Sequence, residues 1–132
     1  MKGLFMSLAN QECIPCKAGM PPLTPEETSE YLAQLGNGWE VTTEGKRLFK
    51  SYKFRNFKRA LKYVNALAEI AEDVGHHPNI HFTWGLVELE IWTHAIDGLA
   101  GADFILAAKA DQAFDEMPFN KAKEAKKETA SA

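Results

Sequence analysis

Apolar positions along the chain follow two periods, and the switches between them mark the elements. Thr24-Pro25-Glu26-Glu27 joins a capping hydroxyl, a proline at the first helical position and a glutamate three residues after the cap. A helix therefore starts there and runs to about Leu35. Gly36-Asn37-Gly38 stops it, because these residues tolerate left-handed backbone. From Trp39 the period is two. Trp39, Val41 and Thr43 share a face, and beyond a turn near Glu44-Gly45 the apolar Leu48, Tyr52 and Phe54 recur among Arg47, Lys50 and Lys53. This predicts a β-hairpin. Asn56 caps the longest helix, where Phe57, Ala60, Leu61, Val64, Leu67, Ala68 and Ala71 fall at helical spacing before Gly75 ends the run. Ile80, Phe82 and Trp84 then alternate with His81 and Thr83, and Val87, Leu89 and Ile91 with Glu88, Glu90 and Trp92. These are two antiparallel strands joined at Gly85. An amphipathic helix from about Gly101 to Asp115, using Phe104, Ile105 and Ala108, is ended by Pro118.

The order α-β-β-α-β-β-α predicts an α+β fold, a four-stranded antiparallel sheet with helices packed on one face. Residues 1–22 read as an irregular leader, since Pro15, Gly19, Pro21 and Pro22 interrupt any period. Residues 23–117 form the expected folded domain, and 118–132, rich in Lys, Glu and Ala, read as a flexible charged tail. An open sheet edge invites pairing with a second copy.

Composition narrows the class. The 132 residues suit one domain, and 45% apolar with 25% charged residues excludes wholesale disorder. Fifteen Lys+Arg against 18 Asp+Glu leave a net charge of -3, so neither nucleic acid nor an anionic membrane is an expected partner. No run approaches the roughly 20 apolar residues that span a bilayer. Two cysteines are too few for a disulfide-dense secreted scaffold, and the expected location is cytoplasmic.

All four histidines, at 76, 77, 81 and 94, fall in one short stretch. Pro78 disfavours helical backbone at His77, so the 76–77 turn either brings both rings to one pocket or leaves both exposed. His94 is expected at the end of the fourth strand, on the side of Glu88, Glu90 and Trp92, and His81 is read as structural. Glu72 and Asp73 close the long helix, where the dipole disfavours anions by a few tenths to about 1 kcal/mol. Glu72, four residues before His76, can hydrogen-bond that ring; a solvated acidic helix end is the alternative. Asp103 sits near the third position of the last helix, where capping and dipole would account for it without any chemistry.

Histidine's unperturbed pKa of about 6.5 lets one ring be protonated and another neutral near pH 7. That pairing suits an elimination of water, in which one ring protonates a departing hydroxyl and another removes a proton. A metal site is the weaker reading, with no H-E-x-x-H pattern present. Cys13 and Cys16 form a single C-x-x-C pair with no second pair to complete a four-cysteine site; reduced thiols are the default expectation, with a labile disulfide or half of a metal site shared between subunits as the alternatives.

Taken together, Glu72-Asp73-Val74-Gly75-His76-His77-Pro78, Trp84, Thr93-His94, Gly98-Leu99, Asp103 and Leu106-Ala107 resemble the signature of the pterin-4a-carbinolamine dehydratases. The likeness takes in Leu23-Thr24, Trp39, Phe54-Arg55-Asn56-Phe57 and Ala60, and covers residues 22 to 115. It implies a hydro-lyase converting 4a-hydroxytetrahydrobiopterin, or a related reduced pterin, to the quinonoid dihydropterin, recycling tetrahydrobiopterin for an aromatic amino acid hydroxylase. It implies His76 and His94 as the acid/base pair, His77 as an assisting residue, Glu72 and Asp103 as ring-orienting or pterin-contacting groups, and Trp84 at the substrate. It also implies no metal or organic cofactor and a homodimer or homotetramer. Two other roles stay open: a non-enzymatic dimerisation partner, as in the resembled family's service to a homeodomain transcription factor, and pterin handling in molybdopterin metabolism. The chain departs from the pattern at Gly75, Ala100 and Ala102, and Ala100 removes an N-cap hydroxyl worth about 1 kcal/mol.

Overall fold

The computed structural model describes residues 8–10 and 21–120. Helix α1 (Pro25–Leu35) begins at a full capping box: Thr24 Oγ1 accepts from the Glu27 amide at 3.2 Å, and Glu27 Oε1 accepts from the Thr24 amide at 2.9 Å. Strands β1 (Glu40–Thr42) and β2 (Arg47–Lys53) pair across a turn with positive φ at Thr43, Glu44 and Gly45. Asn56 Oδ1 accepts from the Arg59 amide at 2.9 Å and starts α2 (Phe57–Val74), which Gly75 ends in left-handed conformation at φ 72. Strands β3 (Asn79–Thr83) and β4 (Leu86–Ile91) and helix α3 (Gly101–Asp115) complete the order. Leu8–Asn10 and His94–Ile96 are single turns of 3₁₀ helix.

The sheet is antiparallel throughout in the order β1-β2-β4-β3, so both β1 and β3 are edges. Alternation sends Leu48, Tyr52, Val87, Leu89 and Ile91 to one face, where they pack beneath the helices with Tyr63 and Leu67 of α2 and Phe104 and Leu106 of α3. Full burial of each such aliphatic side chain stabilises by about 1.5–3 kcal/mol. The opposite face carries Arg47, Phe49, Ser51, Glu88 and Glu90, and helices cover only one side, as the element order predicts.

Four expectations change in three dimensions. Helix α3 is not amphipathic in use: every residue from Ala102 to Ala107 is buried, because α1, α2 and the Leu8–Asn10 turn surround it. Leu8, placed by sequence in the leader, therefore belongs to the core; residues 1–7 and 11–20 lie outside the described set. On α2 the buried stripe is Ala60, Tyr63, Leu67 and Ala71, while Phe57 and Leu61 stay exposed. The apolar face of α2 is wider than its neighbours cover, and on edge strand β3 Ile80 is also exposed. At the chain's other end Phe119 packs on Phe54 at 6.0 Å between ring centroids, so the expected tail begins by joining the core; residues 121–132 lie outside the described set. No described helix is long and apolar enough to cross a membrane.

Lys50 lies on the inward face of β2, between Leu48 and Tyr52. A cation there needs an anion, and Asp111 of α3 supplies it: Asp111 Oδ1 accepts from Lys50 Nζ at 2.7 Å and from the Tyr52 hydroxyl at 2.5 Å. Asp111 Oδ2 accepts from Trp39 Nε1 at 2.9 Å and Asn37 Nδ2 at 3.3 Å. Burial, then the neighbouring Tyr63 and the Asp111 charge, push the Tyr52 hydroxyl far above its ordinary range; burial raises Tyr63 likewise, its hydroxyl donating to Ala110 O at 2.8 Å. The unfolded chain releases both protons near pH 10 whereas the folded chain keeps them, so stability is whole below that pH and falls above it by about 1.4 kcal/mol per unit for each tyrosine. Alkaline titration followed by phenolate absorbance and circular dichroism is expected to show these two tyrosines ionising together with loss of helix. Their ionisation near pH 10 in a chain that keeps its dichroism would contradict this.

Candidate functional site

Asp103 occupies the third position of α3 and has no exposed surface. The positive end of the helix dipole favours a carboxylate there. Its Oδ2 accepts from the Ala100 amide at 2.8 Å, the reciprocal half of a capping box; Ala100 lacks the hydroxyl for the other half. The same oxygen accepts from Thr93 Oγ1 at 2.8 Å, and Oδ1 lies 2.6 Å from His76 Nε2.

Two chain reversals deliver these partners. Gly75 takes the left-handed cap of α2, with its amide and that of His76 both donating to Ala71 O, and so turns the His76 side chain off the helix toward α3. A side chain at Gly75 would be strained at φ 72, which gives a backbone reason for glycine at this departure from the resembled pattern. Strand β4 stops at Ile91; the Thr93 amide then donates to Gly98 O at 2.9 Å, closing the loop that holds the His94–Ile96 turn. Thr93 is buried and points at Asp103, while His94, the next residue, is exposed and stacks on Trp92 with ring centroids 4.3 Å apart at 23°. The expected side of His94, that of Trp92, is correct, but it belongs to a 3₁₀ turn rather than to the strand.

Asp103 thus grips the His76 ring directly and, through Thr93, anchors the backbone from which the His94 turn departs. An ionised carboxylate oxygen only accepts, so the His76 bond places the ring proton on Nε2 and leaves Nδ1 as the nitrogen able to take or give a proton. The chemistry open to this pair is proton transfer to and from a small molecule lying over the turns.

The other predicted residues divide. Glu72 does not reach His76; its Oε2 lies 2.6 Å from His77 Nε2, because the Gly75 turn breaks the helical spacing on which the expected pair depends. Both members of that pair are well exposed, so solvent screens it and its contribution to stability is small. Trp84, 68% exposed, stands at the tip of the β3–β4 hairpin. Asn79 pairs with Glu90 at one end of β3 and Thr83 with Leu86 at the other, so the length of β3, about 16 Å, separates Trp84 from His76, His77 and His94 of the same chain. His81 sits on the open sheet face in register with Glu88. Cys13 and Cys16 lie outside the described residues. Among the described residues no group of three or more His, Cys, Asp or Glu is arranged to hold a metal. A cavity of about 340 Å³ opens beside Asp111, lined by Leu8, Gln34, Asn37 and Gln112 among others, and includes none of the histidines.

Sequence reading assigned no role to Thr93 or Trp92. The signal for Thr93 is its place just after an alternating strand, on the parity of the inward-facing Leu89 and Ile91, where a buried hydroxyl needs a partner. Trp92 carries a weaker one, a large ring two residues before His94 on the same side.

The chain matches the sequence model described as pterin 4 alpha carbinolamine dehydratase over residues 21–113. A protein of Rickettsia canadensis named "Putative pterin-4-alpha-carbinolamine dehydratase" is 50% identical over 104 residues, covering 79% of this chain and 94% of the relative. One of Rubrobacter xylanophilus with the same name is 50% identical over 105 residues, covering 80% and 96%. Among solved structures, the transcriptional coactivator/pterin dehydratase from Brucella melitensis superposes with a TM-score of 0.66 at 28% identity, over 70% of this chain and 97% of that one. A pterin dehydratase-like protein described as a RuBisCO assembly factor in the alpha-carboxysome gives 0.52 at 25% identity, over 60% and 92%.

Removing Asp103 would strand three buried or half-buried donors, each costing about 1–3 kcal/mol. Asp103→Ala is expected to lower unfolding free energy in urea by about 3 kcal/mol or more. A midpoint unchanged from wild type would contradict the role given to this carboxylate.

Proposed function

The chain belongs to the pterin-4a-carbinolamine dehydratase family, and on that premise we propose that it dehydrates 4a-hydroxytetrahydrobiopterin or a close reduced pterin to the quinonoid dihydropterin. In a carbinolamine the hydroxyl sits on the carbon bonded to a ring nitrogen. Loss of water breaks the C–O bond, removes the proton from that nitrogen and forms a C=N bond, with no change of redox state. The reaction needs one group to protonate the leaving hydroxyl and one to take the nitrogen-bound proton, and no nucleophile.

A single observation carries the reading: one buried carboxylate bonds the His76 ring and also the hydroxyl next to His94. By holding the Nε2 proton, Asp103 leaves Nδ1 of His76 for exchange with substrate. His94, exposed on its stack, is the second acid/base group, and His77 with Glu72 assists at the edge of the site. Asp103, fully buried, orients His76 rather than touching the pterin. No metal or organic cofactor enters this scheme. In a cytoplasmic setting the dihydropterin product, once reduced by two electrons in a separate enzymatic step, would again serve an aromatic amino acid hydroxylase. His76→Ala or His94→Ala is expected to lower carbinolamine breakdown by at least about 10²-fold, measured with purified protein and no added metal. Rates within a few-fold of wild type would overturn the assignment.

The exposed apolar residues favour self-association beside catalysis. Phe57 and Leu61 of α2 and Ile80 of β3 lie along the free β3 edge, where Phe57 stacks on Phe82 at 4.9 Å, with Trp84 at the hairpin tip. A second copy covering them would also pair the edge backbone, giving a homodimer or homotetramer. Light scattering is expected to return two or four times 14.7 kDa, with Leu61→Glu shifting the mass toward a single chain. A wild-type monomer would remove this part of the reading. The coactivator and assembly-factor descriptions of the two structural neighbours motivate a purely partner-binding role, which requires cellular function to survive His76→Ala.

A further inference from the structure

His76 is held by a hydrogen bond, whereas among the described residues the His94 ring is held by no hydrogen bond or ion pair, only by its stack on Trp92. An exposed histidine on a three-residue turn has several rotamers, and proton transfer needs one of them. The residue that limits this freedom is on another strand. The β2–β4 register pairs Leu48 with Ile91, so Arg47 stands beside Trp92 one step beyond. Its guanidinium carbon lies 4.0 Å from the centre of the Trp92 ring. One guanidinium nitrogen donates to Asp97 Oδ1 at 3.2 Å and another to Lys46 O at 3.1 Å. Asp97 is the residue that closes the His94–Ile96 turn, its amide donating to His94 O at 3.2 Å with φ 45. Lys46 Nζ lies 3.6 Å from the other Asp97 oxygen, and the Arg47 bond, with the Lys46 charge, holds the Asp97 carboxyl below its usual range.

We propose that Arg47 is a positioning residue for His94, its guanidinium pressing on the indole that the imidazole stacks against and binding the carboxylate that ends the same turn. A planar guanidinium can stack on the indole and donate to the carboxylate at once; the single ammonium of a lysine has no stacking plane and cannot hold both contacts as well. The tie to exposed Asp97 is screened by solvent, so the contact with Trp92 is the larger constraint on the ring. The kinetic consequence rests on the dehydratase reading; the placement of the ring does not.

Two readouts on the full-length protein test it. In proton NMR the His94 ring resonances of wild type carry the ring-current shift of Trp92, and in Arg47→Ala they are expected to move toward their positions in an unstructured peptide. In the carbinolamine assay Arg47→Ala is expected to lower kcat about tenfold with KM within about twofold, and Arg47→Lys to fall between. Unmoved His94 resonances in a folded Arg47→Ala protein would overturn the proposal, as would an unchanged kcat in an active enzyme. Should Arg47→Ala not fold, Arg47→Lys is expected to show the same displacement at smaller amplitude, and its absence would overturn the proposal equally. A wild type without turnover whose His94 resonances still move on Arg47→Ala would sink the dehydratase reading and leave the positioning role standing.

Discussion

Asp103 places a carboxylate where no solvent reaches, and the geometry of the candidate site follows from keeping it paired. An unpartnered buried carboxylate costs several kcal/mol, so its donors have to be supplied by the chain. They come from three segments: the Ala100 amide ahead of α3, the Thr93 hydroxyl after β4, and the His76 ring after α2. Segments far apart in sequence are thereby drawn to one helix end, and two of them carry the candidate acid and base. Satisfying a structural requirement and orienting a reactive ring are here one act.

Helix α3 repeats the device two turns further on. Asp111 gathers Lys50, Tyr52, Trp39 and Asn37 from the first hairpin and the loop before it, as Asp103 gathers the second hairpin and the end of α2. The helix is surrounded on most sides, and its small residues, Ala102, Ala107, Ala110 and Ala113, allow that approach. Both halves of the sheet are thus tied to one central rod by a buried carboxylate each.

Much of this is legible in the sequence because it is local chemistry. The Thr24 and Asn56 caps, the Gly75 stop and the alternation from Val87 to Ile91 each act within a few residues, and the elements begin and end accordingly. The unread parts are set by partners remote in the chain. Glu72 is four residues from His76, which on an unbroken helix would join them; the left-handed Gly75 makes His77 its partner instead. The parity of β2 already puts Lys50 inward with Leu48 and Tyr52, but naming Asp111 as its counter-ion needs the packing of α3. Periodicity shows that α2 has a broad apolar face, not that Tyr63 lies on its covered side and Leu61 on its bare one. Motif spacing counts Trp84 close to His77, whereas an antiparallel hairpin carries it to the far end of the strand.

The tautomer of His76 is the most direct probe of the bond from which the site is built. Nitrogen-detected NMR of the imidazoles in wild type is expected to show His76 protonated at Nε2, with that proton far downfield and slow to exchange because Asp103 holds it. A His76 ring averaging rapidly between tautomers, or protonated at Nδ1, would show that the carboxylate does not orient it.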